Sequence, residues 1–578
     1  MSWEDDKQAS AADALRPAQA WRRSSWIRIF VVVAALAAVA QTPLLLGMPY
    51  WALSLPLEPL IAALILLALP PERARWLVLP LAGLLTLGWL VLAMERTAWQ
   101  VLGRPLKIWL DLQLIQPALE LIGGSMTPGI ALLVGVVLLT LPPTLFWLFI
   151  LLCRRLAEVR APRLAIAGTA MALTGMAAAP QVPQLTVNFL YDAVSSQIDR
   201  TLRVAEERPL FQALLAEDPL AGLLAASPTV GLLPGMANAD VVLVFVESYG
   251  EAALFDPRYA GRIGGTLAEI ERDLDSAGLM QASGWLKSPT IGGQSWLAHA
   301  SLMSGLWIDT QDRWDLLVAS ERRLLTHLFS AAGYDTALVM PAIVRAWPEA
   351  EFFEFDRTYF NDDMGYAGPP YAWVTMPDQY TLSALERDIL AGQDPSRTAR
   401  PPVFAQVALI SSHAPWTPIP PVIDDWSRIA DGALFAEWSE PPIPPQELWL
   451  DGEAVRAAYL EALDYVLRTL GSWLQQPWER PRLVLIVGDH EAGAIVSRRH
   501  TEGAGRKAGS GPETGSVVPL HAISDRPDLV LRLLQAGLAE GLLPPVRQND
   551  SLPLPMSEFR NLLLETFAAP LDDGSVGS

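Results

Sequence analysis

Apolar residues form long unbroken runs in the first third of the chain. Five of these runs approach the ~20 apolar residues that a helix needs to cross a bilayer. They cover residues 29–46, 51–69, 76–94, 129–153 and 164–179. The pattern predicts an α-helical membrane domain, with about five transmembrane helices, within residues 1–182.

Most arginines of this region fall in three clusters on one side of the predicted membrane. They cluster in residues 22–28, 73–75 and 154–163, and no small-residue cleavage site follows the first cluster, so we expect an uncleaved signal anchor. The positive-inside rule makes these segments cytoplasmic, and five crossings then place residue 183 onward outside the cytoplasm. The segment Ala98–Ile122 is expected to be either an amphipathic helix in the outer interface or an ordinary long loop.

Beyond residue 239 the pattern changes to short β-rich runs that alternate with helical stretches. The predicted strands are Val241–Val246, Thr336–Met340, Val403–Leu409, Leu483–Val487 and Val517–Ile523, and the predicted helices include Thr266–Ala277, Arg322–Ala332, Ala454–Gln475 and Pro527–Ala536. This alternation predicts an α/β domain over residues 240–570 with a mostly parallel central sheet, preceded by a connecting helical linker at 183–239. Such sheets carry their sites at the carboxyl ends of the strands.

Charge also divides the chain, at the end of the predicted membrane domain. Residues 1–182 carry 14 Lys and Arg and 10 Asp and Glu, which leaves 28 and 52 for the rest of the 578 residues. A basic, apolar front and an acidic back fit a membrane anchor with a large polar domain. They argue against nucleic acid as a partner, because the acidic domain would repel phosphate backbones. The single cysteine, Cys153, excludes an intrachain disulfide.

Acidic residues and histidines follow three of the predicted strands. The first strand ends in Glu247, a late strand ends in Asp489 and His490, and the strand over residues 403–409 is followed by His413. Carboxylates and an imidazole at neighbouring strand ends are a ligand set for one divalent metal ion, here Mn²⁺, Zn²⁺ or Mg²⁺. A single Asp-His pair would be no more than structural, but three such strand ends favour a metal site.

A glycine-containing turn precedes a helical run at Ser295. Gly292 and Gly293 permit a sharp turn, after which the pattern predicts a helix from Ser295 to Gly305. A hydroxyl at a helix N-terminus lies at the positive end of the helix dipole, which stabilises an alkoxide or a bound phosphoryl group. The alternative is that Ser295 serves only as an N-cap. The neighbouring metal ligands favour Ser295 as a nucleophile.

These motifs resemble the sulfatase-like branch of the alkaline-phosphatase superfamily, and in particular membrane enzymes such as lipoteichoic acid synthase and the phosphoethanolamine or phosphoglycerol transferases. The resemblance covers the predicted membrane anchor and residues 240–525. It implies an alkaline-phosphatase/sulfatase-like fold and one metal ion. By motif, the implied metal ligands are Glu247, Ser295, Asp489 and His490, with Ser295 as the catalytic nucleophile, and the implied substrate-binding residues are His413, Arg345 and Trp347.

The resemblance implies a phosphotransferase of the bacterial inner membrane with an extracytoplasmic catalytic domain. It would move a phosphoglycerol or phosphoethanolamine headgroup from a phospholipid donor to an envelope glycan or lipid acceptor. The alternatives are a phosphodiesterase or sulfuric ester hydrolase, and a non-catalytic sensor or scaffold. Sulfatases that convert Cys or Ser to formylglycine need proline two residues later and arginine four residues later, whereas Leu297 and His299 stand there. The related transferases usually have threonine at the position of Ser295. We expect His299 and His327 on helix surfaces and His521 packed in a strand.

Overall fold

The computed structural model describes residues 29–40, 42, 55–102, 106, 128–159, 186–187, 189–218, 221, 232–236, 238–391, 400–497, 515–544 and 553–567. The chain divides into two compact units. The first contains the helices that precede Arg203, and the second contains Val204–Ser578.

The first unit is helical and strongly apolar. Its helices are Ile29–Ala40, Leu57–Ala68, Pro71–Leu102 and Pro128–Ala157, and Leu55–Pro56 pairs in parallel with Thr186–Val187. The segments Pro71–Ala98 and Leu132–Ala157 are long and apolar enough to cross a membrane. Many of their large side chains point outward, as Trp76 and Leu139 do at 74% and 78% exposure. Such a surface is stable in lipid and costly in water.

The number of membrane crossings stays a prediction. The helices within the first two apolar runs, Ile29–Ala40 and Leu57–Ala68, are shorter than a full span. The fifth run, 164–179, lies outside the described residues, as does most of the proposed interfacial segment Ala98–Ile122, whose first five residues end the helix Pro71–Leu102.

The second unit is built on one large sheet with helices on both faces. The helix Phe189–Ala216 leads into it. Its strands are β1 (Asp240–Val246), β2 (Met280–Ser288), β3 (Asp335–Met340), β4 (Arg357–Phe360), β5 (Val403–Leu409), β6 (Arg482–Gly488), β7 (Ser516–Ser524), β8 (Ala539–Glu540) and β9 (Leu554–Pro555). Its α-helices are α1 (Glu251–Phe255), α2 (Ala260–Ser276), α3 (Ser295–Ser304), α4 (Gln311–Val318), α5 (Leu325–Ala331), α6 (Asp378–Leu385), α7 (Pro445–Leu448), α8 (Gly452–Leu474), α9 (Ala494–Ser497), α10 (Pro527–Gln535) and α11 (Met556–Phe567).

The sheet is mixed, so the prediction of a mostly parallel sheet is wrong. The strand order is β8-β2-β7-β6-β1-β5-β3-β4, with β9 beside β2. The strands from β6 to β4 are mutually parallel, whereas β7 runs antiparallel to both β6 and β2. The reason is the connection from β6: β7 enters beside the end of β6, with Val487 opposite Leu520, and runs back along it. A parallel pair would need a crossover connection that returns the chain to the opposite end of β6.

All five predicted strands are present, and the central ones are buried on both faces. Along β1, Val242, Val244 and Val246 belong to one core together with α2 and α8. Val241, Leu243 and Phe245 belong to a second core that includes side chains of α3, α5 and α10. The alternation follows from the two-residue period of a strand. It explains why these segments read as uninterrupted apolar runs.

Candidate metal centre

The carboxyl ends of β1 and β6 lie side by side at the centre of the sheet. Val246 is paired with Gly488, so the next residues, Glu247 and Asp489, leave the sheet as neighbours. Gly488 is required for this approach, because a Cβ at that position would lie 1.9 Å from the carbonyl oxygen of Tyr249. The register of two central strands therefore brings together two acidic residues that are far apart in sequence.

The turn before α3 carries Ser295 to the same edge. The N–H of Gly292 donates a hydrogen bond to the carbonyl oxygen of Glu491 at 2.8 Å, which attaches the turn to the segment after β6. Gln294 has a φ of 64°, in the left-handed region, and the helix begins at Ser295. The change from a left-handed residue to a helix turns the chain sharply. The predicted helix and its first residue agree with the structure.

Four side-chain atoms that could bind a metal ion lie close together at this edge of the sheet. The Ser295 hydroxyl donates to Glu247 Oε2 at 2.9 Å and lies 3.2 Å from His490 Nε2. His490 Nε2 lies 3.2 Å from Glu247 Oε1 and 3.7 Å from Asp489 Oδ2. Within the part of the chain that the structure describes, Glu247, Asp489 and His490 are the one buried group of this kind whose ligand atoms lie within 4.8 Å of one another.

His490 and Asp489 each use one side-chain atom for a hydrogen bond to the backbone. The other atom of each side chain is left to face Glu247 and Ser295. His490 Nδ1 lies 3.0 Å from the carbonyl oxygen of Glu491 and donates its proton there, so Nε2 is the ring nitrogen that faces the carboxylates. Asp489 Oδ1 accepts from the N–H groups of Ser248 at 2.8 Å and His490 at 2.6 Å, which leaves Oδ2 for another partner. Two carboxylates, an imidazole nitrogen and a hydroxyl are a donor set that suits Zn²⁺ or Mn²⁺. The residues fit a metal ion.

The charges of the centre point the same way. Burial raises the pKa of Asp489 well above its usual range, and the adjacent Glu247 raises it further. Burial opposes ionisation of Glu247 too, yet His490 and His413 hold the pKa of Glu247 well below its usual range. Burial would lower the pKa of His490, but Asp489 and Glu247 raise it to about 10. Two buried carboxylates that gain from a positive charge beside them are the electrostatic condition for cation binding.

Several residues that the sequence did not single out hold the centre in place. Ser248, at a φ of 58°, donates its hydroxyl to Glu247 Oε1 at 3.1 Å. Ser412 donates to the carbonyl oxygen of Glu247 at 2.6 Å, and Ser288 donates to that of Asp489 at 2.5 Å. The carboxylate of Glu491 accepts from the N–H of Ala252 at 2.9 Å. In the sequence, the only sign of these supporting residues is that serines stand at or next to the ends of predicted strands.

The loop after β5 is organised by a buried carboxylate that sequence reasoning missed. Asp378 begins α6 and accepts hydrogen bonds from the N–H of Ile410 at 2.7 Å and from that of Ser411 at 3.1 Å. Its own N–H donates to the Ser411 hydroxyl at 2.9 Å. Burial raises the pKa of Asp378 to about 7 although these hydrogen bonds lower it. The loop held in this way continues into Ser412, which contacts Glu247, and then His413.

The three predicted substrate-binding residues have different surroundings. His413 stacks on Trp373 with ring centroids 4.1 Å apart, and its Nδ1 lies 2.6 Å from the carbonyl oxygen of Ala414. It is close enough for its charge to act on Glu247. Arg345 is exposed in the segment after β3. Trp347 packs beside Trp314, with ring centroids 6.5 Å apart, in an aromatic cluster of the second core.

Beside α3 lies a pocket that we call the His299 pocket. It has room for about one water molecule, and its lining residues are Trp296, His299, Trp314, Leu338, Met340, Trp347, Phe353 and Gln406. The expectation that His299 lies on a helix surface is wrong: it is 4% exposed and stacks on Phe245, with ring centroids 3.8 Å apart. Burial lowers the pKa of His299 to about 3, so it is neutral at pH 7.

The other two histidines are also inside the domain. His327 is not a surface residue as expected, since its Nδ1 accepts from the N–H of Leu324 at 2.9 Å and its Nε2 lies 3.2 Å from Glu354. His521 is buried in β7, as the sequence indicates, with Nε2 3.0 Å from the Tyr249 hydroxyl.

Comparison with known proteins gives structural neighbours only. No family model matches the chain, and no curated protein matches it. The lipoteichoic acid synthase LtaP from Listeria monocytogenes is 15% identical over 60% of this chain and 75% of its own, with a TM-score of 0.33. The phosphoglycerol transferase GacH of Streptococcus pyogenes, in complex with sn-glycerol-1-phosphate, is 11% identical over 62% and 92%, with a TM-score of 0.34.

A zinc complex is among the structural neighbours. The C-terminal periplasmic domain of EcEptC from Escherichia coli, in complex with Zn, is 13% identical over 58% of this chain and 84% of its own, with a TM-score of 0.35. A protein in the alkaline-phosphatase superfamily from Vibrio parahaemolyticus and BT1596, a 2-O GAG sulfatase, are also among the neighbours, with TM-scores of 0.29 and 0.32.

Proposed function

We propose that this chain is a membrane-anchored, metal-dependent phosphotransferase that moves the phospho-headgroup of a phospholipid to an acceptor of the cell envelope through a phosphorylated Ser295. One observation carries the proposal: the hydroxyl of Ser295, at the N-terminus of α3, lies within 3.2 Å of both Glu247 and His490. A serine hydroxyl among candidate metal ligands is placed to act as a nucleophile. A serine that only capped the helix would have no need of metal ligands beside it.

Glu247, Asp489, His490 and Ser295 would hold one divalent ion. When bound, the ion would lower the pKa of the serine hydroxyl and neutralise charge on a phosphate. The chain supplies the rest. Glu247 Oε2 accepts the Ser295 hydroxyl hydrogen and so directs the oxygen, and the helix N-terminus favours negative charge beside it.

In the first half-reaction, the Ser295 hydroxyl would release its proton to solvent, and Ser295 Oγ would form a bond to phosphorus while the bond from phosphorus to the glycerol oxygen of the lipid breaks. His413 would protonate the departing oxygen, with its ring held by Ala414 and Trp373. Arg345 and Trp347 would contact the headgroup, with the guanidinium on a phosphate oxygen. The diacylglycerol product stays in the outer leaflet, which is a reason for the enzyme to be membrane-anchored with residues 240–570 outside the cytoplasm.

One experiment tests both the identity of the nucleophile and the class of reaction. Full-length enzyme with Mn²⁺ or Zn²⁺ and either phosphatidylglycerol or phosphatidylethanolamine should release diacylglycerol and carry a headgroup-phosphate on the peptide that contains Ser295. Ser295→Ala should lower turnover by several orders of magnitude, since removal of the catalytic serine of subtilisin lowers kcat about 10⁶-fold. Ser295→Thr is the matched control, because it restores a hydroxyl at the same position and should retain part of the activity.

Other outcomes would identify the alternatives. Full diacylglycerol release by Ser295→Ala would contradict the nucleophile assignment. Release with water as the sole acceptor would make the chain a phosphodiesterase. Formylglycine at residue 295 together with cleavage of aryl sulfates would make it a sulfatase.

A further inference from the structure

The helix Phe189–Ala216, which we call the linker helix, is connected to the residue that follows the nucleophile. Its Arg208 forms an ion pair with Asp312 of α4 at 2.6 Å. The residue before Asp312 on α4 is Gln311, whose Oε1 accepts a hydrogen bond from the indole N–H of Trp296 at 3.2 Å. Trp296 is the second residue of α3. The linker helix therefore reaches the N-terminal end of α3 through α4.

A second ion pair and a buried ring reinforce the contact between the linker helix and α4. Glu207 pairs with Arg313 at 3.0 Å, and the guanidinium of Arg313 lies over the ring of Phe211, 5.3 Å from its centroid. Phe211 is 3% exposed and belongs to the second core. From Val204 onward the linker helix belongs to the second unit. Its last turns are therefore packed as part of this domain and do not act as a loose tether.

Two buried arginines connect the end of the linker helix to the other end of α3. Arg322 donates to the carbonyl oxygen of Ser304, the last residue of α3, at 3.1 Å. It also donates to the carbonyl oxygen of Glu217, directly after the linker helix, at 2.7 Å. Arg560 on α11 packs against Gly305, where a Cβ would lie 2.6 Å from Nε of Arg560. Positive charge thus stands at the C-terminal ends of both helices, where the helix dipole favours it.

Asp218 is the counter-ion of both arginines. Its Oδ1 lies 3.3 Å from Arg560 and 3.7 Å from Arg322, and its Oδ2 accepts from the N–H of Arg323 at 2.7 Å. The three charged side chains are 1%, 3% and 6% exposed for Arg560, Arg322 and Asp218. Burial lowers the pKa of Arg560 to about 10, so this arginine is still charged at pH 7. Loss of the carboxylate would leave two buried cations without this counter-ion, which is costly.

We propose that residues 207–218 position Ser295 by holding α3 at both of its ends, through Trp296 and through Ser304. The reaction that this positioning serves rests on the proposed function. A helix of 10 residues is about 15 Å long and moves as one body, so a shift at either end moves the Ser295 hydroxyl relative to the candidate metal ligands. A misplacement of about 1 Å can cost 10²-fold in rate. The segment predicted as a connecting linker is therefore part of the catalytic unit.

Asp218→Asn tests the connection at the C-terminal end of α3, because it keeps the size of the side chain and removes its charge. The rate of forming the Ser295 adduct would be measured on the full-length enzyme with Mn²⁺ and phosphatidylglycerol. At saturating donor this rate should fall about tenfold or more, while KM for the donor stays within about twofold, because the change moves the nucleophile and not the donor site. Thermal unfolding would verify that the variant is folded at the assay temperature.

Arg208→Asp tests the connection through α4 and decides the matter if Asp218→Asn does not fold. It places two carboxylates together and should lower the same rate about two- to fivefold, as expected for a surface ion pair. The double variant with Asp312→Arg restores opposite charges and should recover the rate. Arg262→Asp is the matched control, because Arg262 is 56% exposed, against 50% for Arg208, and pairs with Asp464 at 2.8 Å. It should leave the rate unchanged.

Amide hydrogen exchange keeps the inference testable if no adduct forms at Ser295, an outcome that would reject the proposed function. Peptides from α3 should exchange faster in Asp218→Asn and Arg208→Asp than in the wild type, while peptides from α8 keep their rate. Arg262→Asp should leave the exchange of α3 unchanged. Wild-type exchange of α3 in both linker variants, faster exchange in α3 and α8 alike, or adduct formation at the wild-type rate in both variants would overturn the inference.

Discussion

Asp378 offers a quantitative test of how the loop after β5 is held. Its carboxyl is buried, and its pKa is raised from 3.8 to about 7, first by burial. Between these pH values the unfolded chain has released this proton and the folded chain still binds it. Because the folded pKa is the higher one, rising pH removes stability through this window. At about 1.36 kcal/mol per pH unit, the loss amounts to about 4 kcal/mol by pH 7.

Asp378→Asn removes this titration and keeps an oxygen that can accept from Ile410 and Ser411. Thermal unfolding of the full-length protein, followed by tryptophan fluorescence from about pH 4 to pH 7.5, should show the variant gaining stability relative to the wild type as pH rises. Asp425→Asn is the control, because Asp425 is exposed and its pKa is lowered by Ser427. It should produce no such gain. Parallel curves for wild type and Asp378→Asn would refute the assigned ionisation of Asp378.

Two further predictions concern the metal and the membrane. Asp489→Asn should reduce the metal content of the purified enzyme from one ion per chain towards none, as elemental analysis would show, while Asp425→Asn keeps its ion; stoichiometric metal in Asp489→Asn would place the ion elsewhere. A reporter fused after Ser578 should be active only outside the cytoplasm, and one inserted within residues 154–163 only inside. A cytoplasmic C-terminus would end the five-span topology.

The sequence predicts the parallel core of the sheet well, because its strands are apolar on both faces and stand out as continuous runs. It fails at β2, Met280–Ser288, where Gln281, Ser283 and Ser288 are buried polar residues that break the apolar pattern. It also fails on the direction of β7, since the pattern of a strand carries no information on whether its neighbour is parallel. Pairing direction depends on where the connection enters the sheet.

The residues of the candidate metal centre and its surroundings also fall into those that the sequence predicts and those that it does not. Glu247, Asp489 and His490 are predictable because the ends of neighbouring strands converge, and Ser295 because a helix follows two glycines. The buried positions of Asp378 and His299 are not predictable, since they depend on contacts between segments distant in sequence. A histidine on a helix has no local pattern that distinguishes a buried position from an exposed one.

The pairing of Val246 with Gly488 has a consequence for biosynthesis. Asp489 and His490 alone provide two ligands, and Glu247 joins them only after β1 and β6, some 240 residues apart, have paired. A shift of one residue in that pairing would send Glu247 to the opposite face of the sheet. Under the proposed function, tight binding of the ion would therefore wait until β1 and β6 have paired in the folded sheet.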